Sequence, residues 1–442
     1  MHRMSRVDEM EEIKKLESVS SENPVEAIEP LEEQLEPVEK EFGDIIVGLD
    51  IGTTKICCIV GEVFPDRVDV IGTGTVPSNG LRKGVVVNIE STVNSIKQAV
   101  RLAEESAGCN LRSSYVYVGI AGNHIKGFNS PGIVAVNNRE IKKSDIEDVI
   151  TAARTVKISE NQRVIHVMPQ EYMVDDHTGI QNPLGMTGVR LVTNVHIVTA
   201  DIGAVHNLVT CCNKANLEVA ELVLESIASA NAVLSPDEME LGVALVDIGG
   251  GTTDIAVFCD GTIRHTCEIG LGGHNLTNDL SVGLRTPLQE AERLKEDYGG
   301  AISAIIKPNL VVDVPTVGDR QPRKVSQKVL VDILEARTIE ILEMIDRELV
   351  ASGHKNKING GIVLTGGTSL LANIVDLAEQ IFDLPVRIGY PSGVSGKLDE
   401  IHSPRCTTAA GLVLFGRDKN SEIQNREPSV LDKLKGWVKK IM

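Results

Sequence analysis

Two short segments of this sequence carry residue types that suit phosphate binding. They are Asp50-Ile51-Gly52-Thr53-Thr54-Lys55 and Asp247-Ile248-Gly249-Gly250-Gly251-Thr252-Thr253-Asp254, and each directly follows an apolar run. Glycines allow backbone N–H groups to converge on an anion, and threonine hydroxyls donate further hydrogen bonds to phosphate oxygens. Asp50 and Asp247 would repel phosphate unless a divalent cation lies between them, and Mg²⁺ is held by carboxylates together with phosphates. One segment alone is compatible with an ordinary hairpin turn, but the pair predicts a phosphate and Mg²⁺ site made by two related halves.

A third segment has the composition of a site for a flat ring or a ribose. Gly366, Gly367, Thr368 and Ser369 follow a strongly apolar run and precede a helical pattern. Two glycines at the start of a helix let a flat ligand approach the backbone closely. The third segment is weak evidence by itself, but after two matched phosphate loops it indicates a nucleotide site.

The segments that must position these loops alternate between strand and helix patterns. β-Branched runs joined by glycine-containing turns predict three consecutive strands at residues 45–51, 56–63 and 68–76. Apolar residues at helical spacing predict a helix over 89–107, and the sequence Ser-Asp-Ile-Glu predicts a helix that opens at Ser144. Strand and helix patterns continue to residue 416, so the sequence as a whole predicts an α/β protein.

Composition excludes several other classes of protein. The chain has 442 residues, 62 acidic and 44 basic side chains and a formal net charge of -18, which disfavours nucleic acid as a partner. Eight cysteines occur without a Cys-x-x-Cys spacing and mostly within apolar runs, which favours free thiols in a reducing compartment. Neither a leader peptide nor an apolar run of about 18 residues is evident, so we expect a cytoplasmic protein that does not span a membrane.

The charge is unevenly distributed between the two ends of the chain. Residues 1–41 hold 13 acidic and 5 basic side chains, which predicts a disordered acidic tail. Residues 428–442 instead place apolar side chains on one helical stripe, with lysines off the stripe or at its borders. A basic amphipathic helix with a tryptophan on its apolar face is typical of anionic membrane surfaces. The predicted membrane residues are Val430, Leu431, Leu434, Trp437, Val438 and Ile441, with Lys433, Lys435, Lys439 and Lys440.

The three loops together resemble those of the actin, heat-shock chaperone and sugar-kinase superfamily of ATPases, in which two duplicated α/β domains close over ATP and Mg²⁺. The resemblance implies that Asp50 and Asp247 hold the metal. It implies that Glu292 and Lys295 contact adenosine from a helix, although a solvated helix face is the alternative for this pair. The other residues to which it assigns nucleotide binding are Gly52, Thr53, Thr54, Lys55, Gly249, Gly250, Gly251, Thr252, Thr253, Gly366, Gly367, Thr368 and Ser369.

Two carboxyl side chains are candidates for orienting a water molecule near the γ-phosphate. Glu225 begins the segment 225–230, which is expected to cross the cleft, and Asp254 follows the second loop. Glu225 is equally compatible with a carboxylate that interacts with a helix dipole. Because no kinase-like base and sugar pocket is evident, we expect slow or marginal ATP hydrolysis.

Further segments resemble the FtsA family of bacterial cell-division proteins over residues 44–417, including Gly80-Leu81-Arg82-Lys83-Gly84-Val85-Val86 and Asn182-Pro183-Leu184-Gly185-Met186-Thr187-Gly188-Val189-Arg190-Leu191. This resemblance implies an adaptor that forms filaments at the division site, on the cytoplasmic face of the inner membrane, where the terminal helix anchors it peripherally. It implies that the C-terminal tail of FtsZ binds to a helical subdomain. It also implies that self-association and later division proteins use an inserted subdomain.

The same resemblance predicts the domain organisation. The predicted parts are an acidic tail at 1–41, actin-like domain 1 (subdomain 1A) at 42–83 and 164–240, an SHS2-like inserted subdomain 1C at 84–163, domain 2 (subdomain 2A) at 241–274 and 355–416, helical subdomain 2B at 275–354, a linker at 417–427 and a membrane-targeting helix at 428–442.

Three alternatives stay open at the level of sequence. A PilM-like pilus-assembly adaptor shares the fold and the insertion but normally lacks a basic terminal helix. A metabolic kinase of the same superfamily is less favoured, since nothing resembles a sugar pocket. The helix at 428–442 has its own alternative, which is docking on the protein's core or on a partner; the polar linker at 417–427 argues against docking because it lets the helix reach away.

Overall fold

The structure is a computed structural model that describes residues 43–424, apart from 113, 308 and 317–320. The predicted acidic tail at 1–41 and the predicted terminal helix at 428–442 lie outside the described residues. Within the described part, no helix has the length and apolar character needed to span a membrane. All eight cysteines lie in this part and are free thiols, as the sequence predicts.

The first sheet carries the first glycine-threonine loop between two of its strands. Its strands are β1 (Asp44–Ile51), β2 (Lys55–Val63), β3 (Val68–Pro77), β6 (Tyr115–Ile120), β11 (Glu218–Leu224) and β19 (Ser395–Gly396). Their order is β11-β6-β1-β2-β3-β19, and β1 lies antiparallel to β2 and parallel to β6. Helix α1 (Ile89–Ala107) packs its apolar face on this sheet, and the Asn88 side chain caps it by accepting from the Ser91 N–H. A short hairpin of β4 (Leu81–Arg82) and β5 (Val85–Val86) precedes that helix.

A separate sheet of four strands is inserted between β6 and β11. It contains β7 (Lys126–Glu140), β8 (Gln162–Val174), β9 (His177–Ile180) and β10 (Thr187–Asp201) in the order β7-β10-β8-β9, covered by α2 (Lys143–Arg154). This differs from the predicted insertion at 84–163. Residues 84–121 include β6, a strand of the first sheet, and α1, which packs on that sheet. Strands β8 and β10 instead pair within the sheet that contains β7. The error arose because strand pairing, which defines the subdomain, is not visible in local sequence patterns.

Helix α2 also begins one residue earlier than predicted. The Asp145 carboxylate accepts a hydrogen bond from the Lys142 backbone N–H at 2.8 Å and pairs with Arg139. The predicted cap at Ser144 is therefore wrong, because Ser144 already lies inside the first turn.

The second sheet repeats the topology of the first. After α3 (Ile202–Lys214), α4 (Glu225–Val233) and α5 (Pro236–Leu241), its strands are β12 (Val243–Ile248), β13 (Thr253–Cys259), β14 (Thr262–Ile269), β17 (Ile362–Thr365) and β18 (Val386–Ile388). The order β14-β13-β12-β17-β18 has the same sequence of antiparallel and parallel pairings as β3-β2-β1-β6-β11. The predicted duplication into two α/β halves is therefore confirmed.

Helices dominate the segment between β14 and β17, as the sequence predicts. They are α6 (Gly273–Leu284), α7 (Leu288–Tyr298) and the long α8 (Gln327–Ala351), and a hairpin of β15 (Val311–Val314) and β16 (Arg323–Ser326) lies between α7 and α8. Leu330, Leu334, Ile341 and Ile345 of α8 are buried in one core with apolar residues of the second sheet. This core fixes the helices beside the second loop.

The last helices return to the first half of the molecule. After α9 (Ile374–Phe382) and α10 (Leu398–Ile401), α11 (Thr407–Gln424) packs on β1 and crosses α4. Residues 407–416, predicted to belong to domain 2, therefore lie on the first sheet. The predicted linker is also wrong over 417–424, because the helix continues there; the Tyr117 hydroxyl, for example, donates to the Asn420 side chain at 3.4 Å.

Candidate functional site

Each glycine-threonine loop is closed by an equivalent backbone hydrogen bond, and the two loops face each other. The Gly52 N–H donates to the Lys55 carbonyl at 3.0 Å, and the Gly249 N–H donates to the Thr252 carbonyl at the same distance. A Cβ atom at Gly250 would lie 1.7 Å from the Thr54 Oγ1, and one at Gly251 would lie 2.6 Å from the Thr53 Oγ1. Glycine is required at both positions because a larger residue would push the loops apart.

Each loop is preceded by a buried aspartate at the carboxyl end of a strand. Asp50 forms an ion pair with Lys55 at 2.6 Å. Asp247 accepts hydrogen bonds from the Ser229 hydroxyl at 2.8 Å and from the Thr408 hydroxyl at 3.3 Å. The helices α4 and α11 supply these two hydroxyls, so the crossing helices orient the second aspartate.

A row of carboxyl groups crosses the second sheet beside Asp247. Asp254 lies opposite Asp247 in the β12–β13 register, and Glu268 lies opposite Asp254 in the β13–β14 register. The Asp254 Oδ2 accepts from the Thr252 hydroxyl at 3.2 Å, but its Oδ1 is buried without a hydrogen-bond partner. Both Glu268 oxygens are also buried without a partner. Unpaired buried carboxyl oxygens are costly unless a proton or a cation compensates them.

The third loop lies against the second, as the nucleotide hypothesis requires. Gly366 has a φ of +82°, and a Cβ there would meet Asp247 Oδ1 at 2.3 Å, so only glycine fits. The Thr368 hydroxyl donates to the Gly249 carbonyl at 3.0 Å. Ser369 is buried and donates to the Gly366 carbonyl at 2.7 Å, which closes the turn on itself.

The charged pair of α7 lies beside these loops. Lys295 Nζ contacts both Glu292 oxygens at 2.8 and 2.9 Å, and it donates to the Gly273 carbonyl at 3.3 Å. The Thr277 hydroxyl also donates to Glu292. The pair is therefore attached to the start of α6, next to the second loop, and its charges are not on a fully solvated helix face.

Glu225 is the first residue of α4 and is half-buried near the aspartates. Burial, followed by the negative charges of Asp50, Asp254 and Asp247, raises its pKa well above the usual range. Its position at the helix N-terminus also agrees with the helix-dipole interpretation, so both interpretations of this residue fit the geometry.

The other carboxyl groups are perturbed for the same reasons. Burial raises the pKa of Asp247 to about 6, with Asp50 adding to the effect, and burial raises the pKa of Asp254 to about 7. The pKa of Glu268 also rises well above the usual range through burial and the charge of Asp254. Burial lowers the pKa of Lys55, but the charge and hydrogen bond of Asp50, together with the nearby Cys57 and Cys406, outweigh burial and raise this pKa above its usual value. The buried carboxyl groups at the junction of the two loops therefore hold their protons more tightly than exposed carboxyl groups do.

The residues present fit a divalent cation and a phosphate chain. Asp254 offers a buried oxygen without a hydrogen-bond partner. Asp50 is already paired with Lys55, but the charges of Asp50 and Asp247 still disfavour ionisation of Asp254, and a divalent cation would relieve this repulsion. The facing loops offer backbone N–H groups and the hydroxyls of Thr53 and Thr54. One or two carboxylates with phosphates and water are the usual environment of Mg²⁺.

The sequence did not single out several residues of this site. Ser229 and Thr408 are remote in sequence from Asp247, and nothing local indicates that their hydroxyls reach it. Glu268 differs from these two residues, because a local signal for it exists. If β13 and β14 are assumed to pair, their register places Glu268 opposite Asp254, so the sequence could have indicated that this glutamate belongs to the site.

Two family models match this chain. "Cell division protein FtsA" matches residues 244–411, which contain the second and third loops. "SHS2 domain inserted in FTSA" matches residues 122–199, which agrees with the four-stranded sheet and corrects the predicted limits of 84–163.

Curated relatives match nearly the whole chain. The cell division protein FtsA of Pseudomonas aeruginosa is 47% identical over 411 residues, which cover 90% of this chain and 98% of the relative. The cell division protein FtsA of Escherichia coli (strain K12) is 37% identical over 409 residues, which cover 90% of this chain and 96% of the relative.

Solved structures of lower identity share the fold. A PilM–PilN type IV pilus biogenesis complex has a TM-score of 0.62 at 16% identity, covering 84% of this chain and 98% of that chain. MreB 5 of Spiroplasma citri bound to AMPPNP has a TM-score of 0.54 at 15% identity, covering 86% of this chain and 98% of that chain. The fold is that of the actin-like ATPases, and the level of identity to the curated relatives shows that this chain belongs to the FtsA family of cell-division proteins.

Proposed function

We propose that this chain is an ATP-binding, filament-forming adaptor that tethers the FtsZ ring to the inner membrane and recruits later division proteins. The observation that carries the nucleotide part is the direct approach of the two loops, with Thr53 and Thr54 against Gly251 and Gly250 and aspartates behind them. Membership of the FtsA family supports the cell-division role.

Each part of the cleft has a task in this proposal. Asp50 and Asp247 hold Mg²⁺ through oxygen ligands, and the ion neutralises phosphate charge when it is bound. Both glycine-threonine loops donate hydrogen bonds to phosphate oxygens. The third loop and the Glu292–Lys295 pair bind the adenosine end of the nucleotide. Glu225 and Asp254 are the candidates for positioning water, and we expect turnover to be slow.

A nucleotide-binding measurement tests this assignment. Fluorescent ATP analogue titrated in the presence of Mg²⁺ should bind the wild-type chain and bind Asp247→Asn on the order of tenfold more weakly or worse, which corresponds to about 1.4 kcal/mol. Asp399→Asn, an exposed aspartate on α10, is the matched control and should bind as the wild type does. Equal affinity of all three proteins would refute the assigned role of Asp247.

The membrane part rests on the composition of residues 428–442, which lie outside the described residues. Four lysines border an apolar stripe that includes Trp437. Each lysine near an anionic leaflet contributes roughly 1 kcal/mol, so one molecule binds weakly and a filament binds firmly. The acidic chain is thus held at an anionic surface by one local basic segment.

Liposome sedimentation tests the anchor. The full chain with ATP should sediment with anionic liposomes, whereas a chain truncated after Glu427 and the variant Trp437→Glu should stay in solution. Ser429→Glu adds the same charge outside the apolar stripe of the predicted helix and should retain most binding. Adding FtsZ to each sample tests the partner, because FtsZ should sediment only with proteins that reach the liposomes. Equal sedimentation of all variants would contradict the anchor.

Subdomain assignments remain part of the proposal. The helical segment 275–354, which includes α7, α8 and the β15–β16 hairpin, is the expected site for the FtsZ tail. The inserted sheet β7–β10 is the expected site for self-association and for later division proteins.

A further inference from the structure

Three side chains with metal-binding groups meet away from the nucleotide cleft. His265 and Cys267 lie on β14, and Glu348 lies on α8. Their candidate ligand atoms, an imidazole nitrogen, the Cys267 Sγ and a Glu348 carboxylate oxygen, lie within 4.8 Å of one another. Among the residues that the structure describes, this is the one such group of three or more histidine, cysteine and acidic side chains.

The fold brings these groups together in a simple way. Residues two apart on a strand point to the same face, so β14 presents His265 and Cys267 side by side. That face of the second sheet packs on α8, since Ile255, opposite Cys267 in the register, is buried in the same core as Leu349. Glu348, one residue before Leu349, reaches the cluster from the helix side.

One nitrogen of the cluster has no hydrogen-bond partner, whereas the Cys267 thiol is hydrogen-bonded to the Glu348 carboxylate. The Nε2 of His265 is buried and has no hydrogen-bond partner. The neighbouring His354, beyond the end of α8, also has a buried Nδ1 without a partner. A neutral imidazole has one ring nitrogen with a free electron pair, which is the form in which histidine binds metals. Buried nitrogen atoms without partners are costly and need an explanation.

The combination of donor types selects the metal. A thiolate and an imidazole favour Zn²⁺ over Mg²⁺ or Ca²⁺, which prefer oxygen ligands. The thiolate of Cys267 and the carboxylate of Glu348 together balance the charge of a divalent ion. Tetrahedral zinc ligands lie about 3.3–3.8 Å apart when their bonds to the metal are about 2.0–2.3 Å long, so small side-chain rotations are sufficient to bring these atoms into place.

We propose that His265, Cys267 and Glu348 bind one Zn²⁺ ion, with water in the fourth position. Binding converts the Cys267 thiol to a thiolate and releases its proton to solvent, with no change of oxidation state. The ion links β14, the edge strand of the second sheet, to the last turns of α8. It therefore connects the sheet that carries the second phosphate loop to the longest helix of the segment 275–354.

Cobalt titration of the full-length protein tests this site. Co²⁺ replaces Zn²⁺ in tetrahedral sites, and a thiolate ligand gives a charge-transfer absorption in the near ultraviolet that carboxylate ligands do not give. Excess Mg²⁺ keeps the oxygen-rich nucleotide cleft occupied during the titration. We expect one Co²⁺ per chain with the thiolate absorption, and its displacement by Zn²⁺ at lower concentration because Zn²⁺ binds such donors more tightly.

Matched variants separate this site from the other thiols and carboxylates. Cys267→Ser should abolish the thiolate absorption, whereas Cys259→Ser, a buried thiol on the adjacent strand, should keep it. Glu348→Gln should weaken Co²⁺ binding at least about tenfold. Removing a group that only supports a metal ligand already lowers metal affinity by about tenfold or more, and Glu348 is proposed to be a ligand itself. Glu343→Gln changes an exposed glutamate on the same helix and should leave affinity unchanged.

Three results would overturn the proposal. They are no thiolate absorption in the wild-type protein, the same absorption in Cys267→Ser, or unchanged affinity in Glu348→Gln. Because Glu348 is exposed, its variant is expected to fold, and circular dichroism of each variant checks this directly. Nucleotide binding is measured separately, so failure of the zinc site leaves the proposed ATP site untouched.

Discussion

Asp247 and Asp254 face each other across neighbouring strands, and this has a consequence for stability. In both residues burial raises the pKa, to about 6 and about 7, above the usual value for an aspartate of about 3.9. The folded chain therefore holds these protons more tightly than the unfolded chain does. Their contribution favours folding at acidic pH and is lost as pH rises through the folded-state values.

We therefore expect the titration of these two aspartates to lower the melting temperature of the nucleotide-free protein as pH rises from about 4 to about 7. Asp254→Asn removes one titrating group and should make this slope shallower, while the exposed Asp399→Asn should not change it. Differential scanning calorimetry at several pH values measures the effect. A slope that is the same in all three proteins would show that Asp254 does not titrate in this range.

The approach of the two loops also makes a prediction at single positions. Gly250→Ala places a methyl group where the Thr54 Oγ1 now lies, so the loops must separate. Overpacking of this kind costs about 1–3 kcal/mol, and we expect ATP affinity to fall on the order of tenfold or more. Titration of a fluorescent ATP analogue measures this.

Gly203→Ala is the control for that substitution. A Cβ at Gly203, in the first turn of α3, meets the Asp201 Oδ1 at 3.1 Å, and that side chain is able to yield. ATP affinity should be unchanged. If Gly250→Ala also binds ATP normally, the loops do not close on the nucleotide as proposed.

At the scale of elements, the crossing of α4 and α11 holds the two halves together. A Cβ at Gly411 would lie 1.8 Å from the Ala228 carbonyl oxygen, so the two helices touch through their backbones. The same two helices present Ser229 and Thr408 to Asp247. Packing between these helices therefore determines the geometry of the second aspartate.

Gly411→Ala should lower the free energy of unfolding by about 1–3 kcal/mol, because the helices have to move apart to admit the methyl group. Urea denaturation measures this change. Gly283→Ala is the matched helical control, since its Cβ would meet only the flexible end of Ile333 at 2.8 Å. Alanine is the better helix former by about 1 kcal/mol, so the control should be neutral or slightly stabilising. Equal losses in the two variants would contradict the close crossing.

At the scale of the whole described molecule, the inserted sheet covers the edge of the second sheet that β14 forms. β14 is the edge strand of the second sheet, and side chains of the insert contact its backbone and side chains. Gln170 donates to the Ile263 carbonyl at 2.9 Å, Asn129 donates to the Arg264 carbonyl at 3.1 Å, and His196 Nε2 lies 2.9 Å from the Thr266 hydroxyl. Covering an edge strand in this way removes a template for unwanted strand pairing.

Gln170 should carry a measurable part of this interaction because it is buried. Gln170→Ala leaves the Ile263 carbonyl without its side-chain donor, and such a loss costs about 1–3 kcal/mol of unfolding free energy. Gln181→Ala removes an exposed contact to the Asp260 carbonyl at 3.4 Å and should change stability by less than about 0.5 kcal/mol. Urea denaturation compares the two variants, and a larger loss in Gln181→Ala would be the contrary result.

The sequence by itself determined the features that depend on neighbours along the chain. β-Branched runs predicted the three strands around the first loop within about one residue, and the predicted helix at 89–107 agrees in both limits. The repeated Asp-Gly-Thr pattern predicted the duplicated sheet, because backbone freedom and strand termination are local properties. The cysteines were also predicted correctly as free thiols, since their apolar surroundings are local.

Only the tertiary structure decided which remote segments meet. Strand pairing placed β6 in the first sheet and β8 and β10 in the insert, which moved the predicted limits of 84–163. Helix α11 continues through Gln424, where polarity alone had predicted a linker, and its Asn420 is hydrogen-bonded to Tyr117 of β6. The hydroxyls on Asp247 and the cluster of His265, Cys267 and Glu348 likewise depend on contacts between residues far apart in sequence. Such contacts depend on side chains distant along the chain, and a single sequence carries no local signal for them.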